Sequence, residues 1–309
     1  MRRRFRIACP FILILALFLF APPPCAADGE PEPDDALELA EGANLRIMSY
    51  NIMHPDWSHV KVTGRDEKVA AILRDYMPDV AAIQEAGAKW HKALAPLLMD
   101  TGVYAVACRQ SNAEGFIYNT TCFLYNPQNL RLVEEYILDL EARNATRVFS
   151  VAVFERLSDG VRFVAANTHP APRDEPEKYA RNMADLTAFA ADLLNRYPDL
   201  AVVIAGDFNT PEQSEQYLNF MSEAGVRDAK YEADVLVRNC STYFGYQIAP
   251  DADDTDCCVD HIFVNDKMDV KLFNAVVGHD VQNASDHIPI YADIDLTERD
   301  GLRGGKTND

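Results

Sequence analysis

The spacing of hydrophobic residues divides the chain into strand-like runs and helix-like stretches from residue 45 onwards. The opening unit predicts a strand at 45–50, a helix at 65–76 and a strand at 79–84, because continuous apolar runs flank a spacing of three and four. The same criteria predict further strands at 103–109, 121–125, 131–138, 148–156, 161–168, 200–205, 259–264, 270–277 and 288–296. Helices are predicted at 89–99, at 175–197 and directly after Thr210, which we expect to be an N-cap.

The order of these elements predicts an α/β (α+β) fold with two packed sheets. Several strands follow one another as hairpins, while others alternate with helices, so the sheets should be mixed. Two mixed β-sheets flanked by helices accommodate this order better than one doubly wound sheet. We expect one domain over 45–297, preceded by a flexible lead-in at 28–44 rich in Pro, Asp and Glu and followed by a polar tail at 298–309.

The first 27 residues have the pattern of a secretory signal peptide. Four arginines precede an apolar run of about fifteen residues, and small residues follow it before Asp28. This run is short for a bilayer, which needs about 20 residues, so cleavage is expected rather than an uncleaved anchor. The predicted location is therefore secreted or periplasmic.

The charge of the chain argues against a surface that grips nucleic acid broadly. The formal net charge is −19, with 48 acidic and 29 basic residues, and loss of the four leading arginines makes it −23. An acidic protein repels polyanions over most of its surface, although a local basic groove remains compatible with this composition.

Five cysteines remain after residue 27, and export would place them where disulfides can form. Two arrangements are open. Cys108 could pair with Cys122, and Cys240 could pair with Cys257 or Cys258. Alternatively, all five could be buried thiols, which are common among single cysteines.

Polar residues recur where apolar strands stop, which is the most informative pattern in the chain. An unpaired carboxylate buried at such a place costs several kcal/mol, so it must be solvated, paired or bound to a metal. A shared centre explains these positions better than independent caps do. The residues concerned are Asn51, Glu85, His169, Asp207, Asn209, Asp260, Asp286 and His287.

The oxygen atoms of this set suit a hard divalent cation. Carboxylates of Glu85, Asp207 and Asp286, together with amide oxygens of Asn51 and Asn209, favour Mg²⁺ or Mn²⁺ and do not suit zinc. An imidazole beside an aspartate is a candidate base for a water molecule, because the carboxylate fixes its tautomer and raises its basicity. The sequence therefore predicts a site for a hard divalent cation, with His287 as a candidate base.

Six blocks, in the order SYNI, IQE, NTH, GDFN, VDHIF and SDHIPI, resemble the signature series of the endonuclease/exonuclease/phosphatase superfamily. The resemblance spans 45–297 and implies a deoxyribonuclease I-like, four-layer sandwich that hydrolyses phosphoesters with a divalent metal. It also implies that Glu85 is the main metal ligand and that Asn51 and Asp286 assist at the metal site.

The resemblance implies roles for the other polar residues as well. His287 corresponds to the base of the superfamily, and Asp260 to the acid that orients it. Asp207 would activate or position the nucleophile or the leaving group. Asn209 and His169 would hold the phosphoryl oxygens.

The expected function is that of a metal-dependent phosphoric ester hydrolase acting on a phosphodiester, most simply as a nuclease-like enzyme. A sphingomyelinase-like phospholipid phosphodiesterase and a phosphomonoesterase are the alternatives, and a catalytically inactive binding module is the alternative of another class. The partner is then a phosphoester substrate, either a nucleic acid or a phospholipid head group. No stable protein partner is implied, and a monomer is expected.

Overall fold

A computed structural model describes residues 38–54, 64–110, 120–140, 147–245, 257–277 and 281–296. The predicted signal peptide and polar tail lie outside the described residues. In chain order the strands are β1 (Leu45–Asn51), β2 (Val80–Gln84), β3 (Ala105–Ala107), β4 (Cys122–Tyr125), β5 (Leu130–Asp139), β6 (Val148–Arg156), β7 (Arg162–Thr168), β8 (Ala201–Asp207), β9 (Arg227–Asp228), β10 (Val235–Leu236), β11 (Asp260–Val264), β12 (Asp269–Ala275) and β13 (Ile290–Asp295).

Helices connect and flank these strands. They are α1 (Arg65–Tyr76), α2 (Ala88–Leu94), α3 (Pro176–Arg196), α4 (Glu215–Ala224), α5 (Ala229–Glu232) and α6 (Val281–Ala284). The helix predicted at 89–99 changes character halfway, because a π-helical turn, Ala95–Met99, follows α2 and carries Pro96 in its first turn. Proline lacks an N–H and cannot join the regular hydrogen-bond ladder of an α-helix. No helix among the described residues is long and apolar enough to span a bilayer.

The described strands form two mixed sheets, as the element order predicts. The first has the order β10-β12-β13-β1-β2-β4-β3, and the second has the order β5-β6-β7-β8-β11-β9. In the first sheet β1 is parallel to β2 and antiparallel to β13. In the second, β8 is parallel to β7 and antiparallel to β11. The central strands β1 and β8 are therefore flanked on both sides, which suits their fully buried sequences.

Two hydrophobic clusters hold the layers together and confirm the predicted sandwich. One cluster contains apolar residues of both sheets together with α1 and α2. The other joins the second sheet to α3 and α4, with Leu186 and Phe220 fully buried in it. A buried hydrogen bond also crosses between the sheets, where Gln84 Nε2 donates to Asn167 Oδ1 at 2.8 Å. The layers therefore follow the order helix, sheet, sheet, helix.

The start of α4 and the state of the cysteines bear on two local sequence predictions. Thr210 does not cap the helix that follows it, because its hydroxyl donates to the Phe208 carbonyl and contacts the Tyr179 hydroxyl. The helix begins later, at Glu215, and Ser214 is its N-cap, accepting from the Tyr217 N–H. The second concerns the cysteines: all five in the described residues are thiols, so the structure has the thiol alternative and not the disulfide pairs.

Gly206, directly before the end of β8, allows the two parallel strands β7 and β8 to approach closely. A Cβ atom built on Gly206 would lie 2.3 Å from the Thr168 carbonyl oxygen, a distance that no packed structure accommodates. We therefore expect Gly206→Ala to lower the free energy of unfolding by about 1–3 kcal/mol or more through overpacking. Chemical denaturation measures this loss, and Gly160→Ala is the control, because a Cβ there meets open space and only the positive φ of 77° opposes the substitution. Equal losses in the two variants would contradict the steric explanation.

Candidate active site

Asp207, the last residue of β8, is the centre of the site. Its carboxylate is buried, and Oδ2 accepts a hydrogen bond from Asn51 Nδ2 at 2.9 Å. The same oxygen lies 3.3 Å from His169 Nε2 and 3.6 Å from His287 Nε2. Oδ1 accepts from the Asn209 N–H at 2.8 Å. One carboxylate therefore joins β1, the segments that directly follow β7 and β8, and the loop before β13.

The environment keeps Asp207 ionised. Burial alone raises the pKa of a carboxyl group, but the neighbouring imidazoles of His169 and His287 outweigh burial and hold the pKa of Asp207 below its usual value. A carboxylate fixed in its charged form between two imidazoles is able to orient or accept a proton.

His287 lies between two carboxylates. Its Nδ1 is 2.8 Å from Asp260 Oδ2, although 26 residues separate the two in the sequence, and its Nε2 faces Asp207. Burial lowers the pKa of His287, whereas Asp260 and Asp207 raise it, and together they bring it to about 10. The predicted pairing of His287 with Asp260 thus exists, with the imidazole held in its protonated form before any cation is added.

Asn51 and Glu85 lie beside these residues, at the end of β1 and directly after β2. Asn51 Oδ1 accepts from the Met53 N–H at 2.9 Å, so Nδ2 is the atom that faces Asp207 and Glu85 Oε1, the latter at 3.3 Å. Glu85 has a positive φ of 62°, which turns its carboxylate back towards the site, and Oε2 accepts from the His54 N–H. Without a cation the amide nitrogen of Asn51 faces the two carboxylates, and the role of Asn51 at the metal site stays a prediction.

Asp286 completes the acidic side of the site. Burial raises its pKa, His287 opposes this, and the charges of Glu85 and Asp207 raise it further. Carboxylates that raise one another's pKa are crowded, and a divalent cation relieves that repulsion. Ligand atoms of Asp207, Asp260 and His287 also lie within 4.8 Å of one another. These donors therefore fit a divalent cation. The carboxylate oxygens of Glu85, Asp286 and Asp207 are the type of ligand that Mg²⁺ or Mn²⁺ prefers.

Asn209 and His169, predicted to hold phosphoryl oxygens, both lie at this site. Asn209 has a positive φ of 51° in the turn after β8, and its Nδ2 donates to the Pro170 carbonyl at 3.1 Å. That hydrogen bond uses one of the two amide hydrogens, and the other can still donate. His169 Nδ1 is buried and has no hydrogen-bond partner among the described residues. Both side chains keep donor capacity that a phosphoryl group would use.

Sequence reasoning missed residues that contribute to the site without being charged. The ring of Tyr243 packs on the His287 imidazole with centroids 4.9 Å apart, and 43% of Tyr243 stays exposed at the mouth. Ser285 donates to the Asn51 carbonyl at 2.6 Å and accepts from the His287 N–H. Tyr243 lies on an irregular segment, where periodicity gives no signal. Ser285 could have been found, since it directly precedes Asp286 and His287.

The fold and the site define a phosphoester hydrolase of the four-layer sandwich type. The model of the Endonuclease/Exonuclease/phosphatase family matches residues 48–287, and the chain belongs to this family. No curated protein matches the chain significantly.

Solved structures share the fold at low sequence identity. A mannosyl-6-phosphatase from Bacteroides thetaiotaomicron has a TM-score of 0.66 at 18% identity, covering 81% of this chain and 99% of its own. The human Nocturnin catalytic domain has a TM-score of 0.61 at 19% identity, with 82% and 93% covered. Truncated Caenorhabditis elegans TDP2 has a TM-score of 0.60 at 18% identity, with 80% and 96% covered. At these identities the likeness concerns the fold.

Proposed function

We propose that the protein is an exported, divalent-metal-dependent phosphodiesterase with a nuclease-like choice of substrate. The observation that carries the proposal is the pair of contacts on one imidazole: His287 Nδ1 meets Asp260 at 2.8 Å while Nε2 faces Asp207. An oriented imidazole beside an ionised acid, with two further donors on Asn209 and His169, supplies proton transfer and phosphoryl binding at one place. Export rests on the signal-peptide pattern of residues 1–27.

A cation at this site would be held by Glu85, Asp286 and Asp207. When bound, Mg²⁺ or Mn²⁺ neutralises charge on the phosphoryl oxygens and polarises the ester. The chain's own residues do the rest. His169 and Asn209 donate to the phosphoryl oxygens, Asp260 holds the His287 ring in one orientation, and His287 moves a proton at Nε2.

The charge of the site favours a diester over a monoester. Four carboxylates surround it, those of Glu85, Asp207, Asp260 and Asp286. A divalent ion offsets two of these four negative charges, and His287 is neutral when it acts as the base. The remaining negative charge repels a dianionic monoester more than a diester, which carries a single charge.

Metal dependence and substrate class are tested together. We expect purified protein lacking residues 1–27 to hydrolyse plasmid DNA or bis(p-nitrophenyl) phosphate with Mg²⁺ or Mn²⁺, and to lose at least 100-fold in rate in excess chelator, because uncompensated carboxylates repel the substrate. Sphingomyelin and p-nitrophenyl phosphate are the comparison substrates. Faster hydrolysis of either would overturn the diester or the nuclease-like assignment, and full activity in chelator would overturn the metal dependence.

A further inference from the structure

A buried arginine outside the active site links the two loops that carry its residues. Arg65, the first residue of α1, is 4% exposed. Its Nη1 donates to the Ile52 carbonyl at 3.2 Å and to the Ala284 carbonyl at 3.1 Å, and its Nη2 donates to the Met53 carbonyl at 3.2 Å. Ile52 and Met53 follow Asn51, and Ala284 precedes the segment that contains Asp286 and His287. One guanidinium therefore binds carbonyl groups of both loops.

Trp90 of α2 reinforces the same contact. Its indole Nε1 donates to the Met53 carbonyl at 2.9 Å, and the Arg65 guanidinium lies over its ring at 4.8 Å from the centroid. Trp90 is fully buried. The Met53 carbonyl thus accepts from two side chains of two different helices, which fixes the orientation of that peptide group.

The orientation of Met53 decides which atom Asn51 presents to the site. Met53 has a positive φ of 55°, a conformation that costs a residue of this size about 1–3 kcal/mol unless its surroundings enforce it. In this conformation the Met53 N–H donates to Asn51 Oδ1, so Asn51 Nδ2 points to Asp207 and Glu85. The strained turn and the inward amide therefore depend on the same two donors.

A second connection joins the loops directly. The Ser285 hydroxyl donates to the Asn51 carbonyl and accepts from the His287 N–H, at 2.6 and 3.2 Å. The guanidinium and the hydroxyl bridge the loops at neighbouring peptide groups, so a shift of one loop moves the other. Asn51 Nδ2 and His287 Nε2 lie 3.5 Å apart and both face Asp207 Oδ2, so the separation of the two loops sets the geometry around that carboxylate.

We propose that Arg65 and Trp90 are positioning residues for catalysis, which hold Asn51 and His287 at their working distances from Asp207 without touching substrate. This inference rests on the proposed phosphodiesterase function. A misplacement of about 1 Å in a catalytic group costs up to 100-fold in rate, so loss of one of these donors should affect turnover more than substrate binding.

Trp90→Phe is the sharpest test, because it removes the indole donor and keeps an aromatic ring under Arg65. We expect kcat to fall roughly 10-fold with KM within twofold, and exchange of the Met53 amide hydrogen to quicken at least tenfold. Tyr104→Phe is the matched control, since Tyr104 is a buried aromatic whose hydroxyl donates to the Leu73 and Pro78 carbonyls, away from the site. It should lower Tm to a similar degree and change neither kcat nor Met53 exchange.

Arg65→Lys provides a second variant, with Arg156→Lys as its control, because Arg156 is also buried and binds the Asn44 and Leu296 carbonyls. If Arg65→Lys does not fold, Trp90→Phe decides. A loss of Tm in Trp90→Phe with unchanged kcat overturns the proposal, and so does an unchanged rate of Met53 exchange. If the parent protein hydrolyses no phosphoester, the proposed function fails separately, while amide exchange still decides whether Trp90 holds the turn.

Discussion

Replacing Asp207 with asparagine is expected to lower kcat roughly 1000-fold, the largest effect of any single substitution in this chain. The buried Oδ2 accepts from Asn51 and faces both His169 and His287. Asparagine keeps the shape of the side chain but removes the charge that holds the imidazoles in place. Losing one preorganised electrostatic contact typically costs 100- to 1000-fold, and Asp207 makes several at once.

The control for this substitution is Asp228→Asn. Asp228 is also a buried aspartate, and it accepts from the Tyr217 hydroxyl and the Lys230 N–H. Asparagine keeps an oxygen that accepts from the Lys230 N–H at the start of α5, and its amide nitrogen can donate to the Tyr217 hydroxyl, so kcat should stay within a few-fold. Steady-state kinetics with a generic phosphodiester, together with Tm for both proteins, separates chemistry from folding. If Asp207→Asn retains a tenth or more of the parent kcat, Asp207 is not the centre of the reaction.

The polar ends of the strands could be predicted because each is a local event. Asn51, Glu85 and Asp207 end continuous apolar runs, and strand ends of packed sheets meet at common edges. The register of β8 with β11 places Asp207 directly opposite Asp260. Local hydrophobic patterns therefore indicate which residues lie at the site.

Side-chain orientation could not be predicted in the same way. The inward amide of Asn51 depends on the Met53 turn, which depends on donors from α1 and α2. Arg65 lies 219 residues from one of its acceptors, Ala284, and in the sequence it resembles an ordinary basic residue at the start of a helix. Such long-range polar contacts leave no periodic signal.

The start of α4 shows a different limit, namely competition between equivalent local signals. Thr210 and Ser214 are both residues of the type that caps helices. Tertiary contacts decide between them, because the Thr210 hydroxyl lies against Tyr179 of α3 and the Phe208 carbonyl. The sequence predicts Thr210 as the cap, and packing places the cap at Ser214.

His287→Ala is expected to lower kcat roughly 100-fold or more, as for loss of a general base, and Asp260→Asn to cost part of that. Asp260 is the main neighbour that raises the pKa of His287, against burial, to about 10. Asp260→Asn should therefore lower the pKa of His287, which NMR titration of the imidazole in metal-free protein measures directly. A bound divalent cation should lower it as well, because like charges disfavour the protonated form.

The direction of the pH dependence follows from these shifts. The deprotonated imidazole is the base, so the rate should rise with pH up to the pKa of His287, and Asp260→Asn should move this rise to lower pH. Stability should change in the opposite direction. The folded-state pKa is above the ordinary value of 6.5, so the contribution of His287 is complete below about pH 6.5 and is lost as the pH rises towards about 10.

The pH dependence of the rate and the pH dependence of Tm together decide the role of His287. The Tm of the metal-free parent should fall between pH 7 and pH 10 by more than the Tm of His287→Ala, since only the parent releases this proton. The His91→Ala variant is the matched control: burial lowers the pKa of His91 to about 4, so that imidazole is neutral throughout the same range and its loss should leave the slope unchanged. If the rate of Asp260→Asn follows the parent's pH profile, then Asp260 does not control the proton on His287, and the imidazole acts at this site by hydrogen bonding alone.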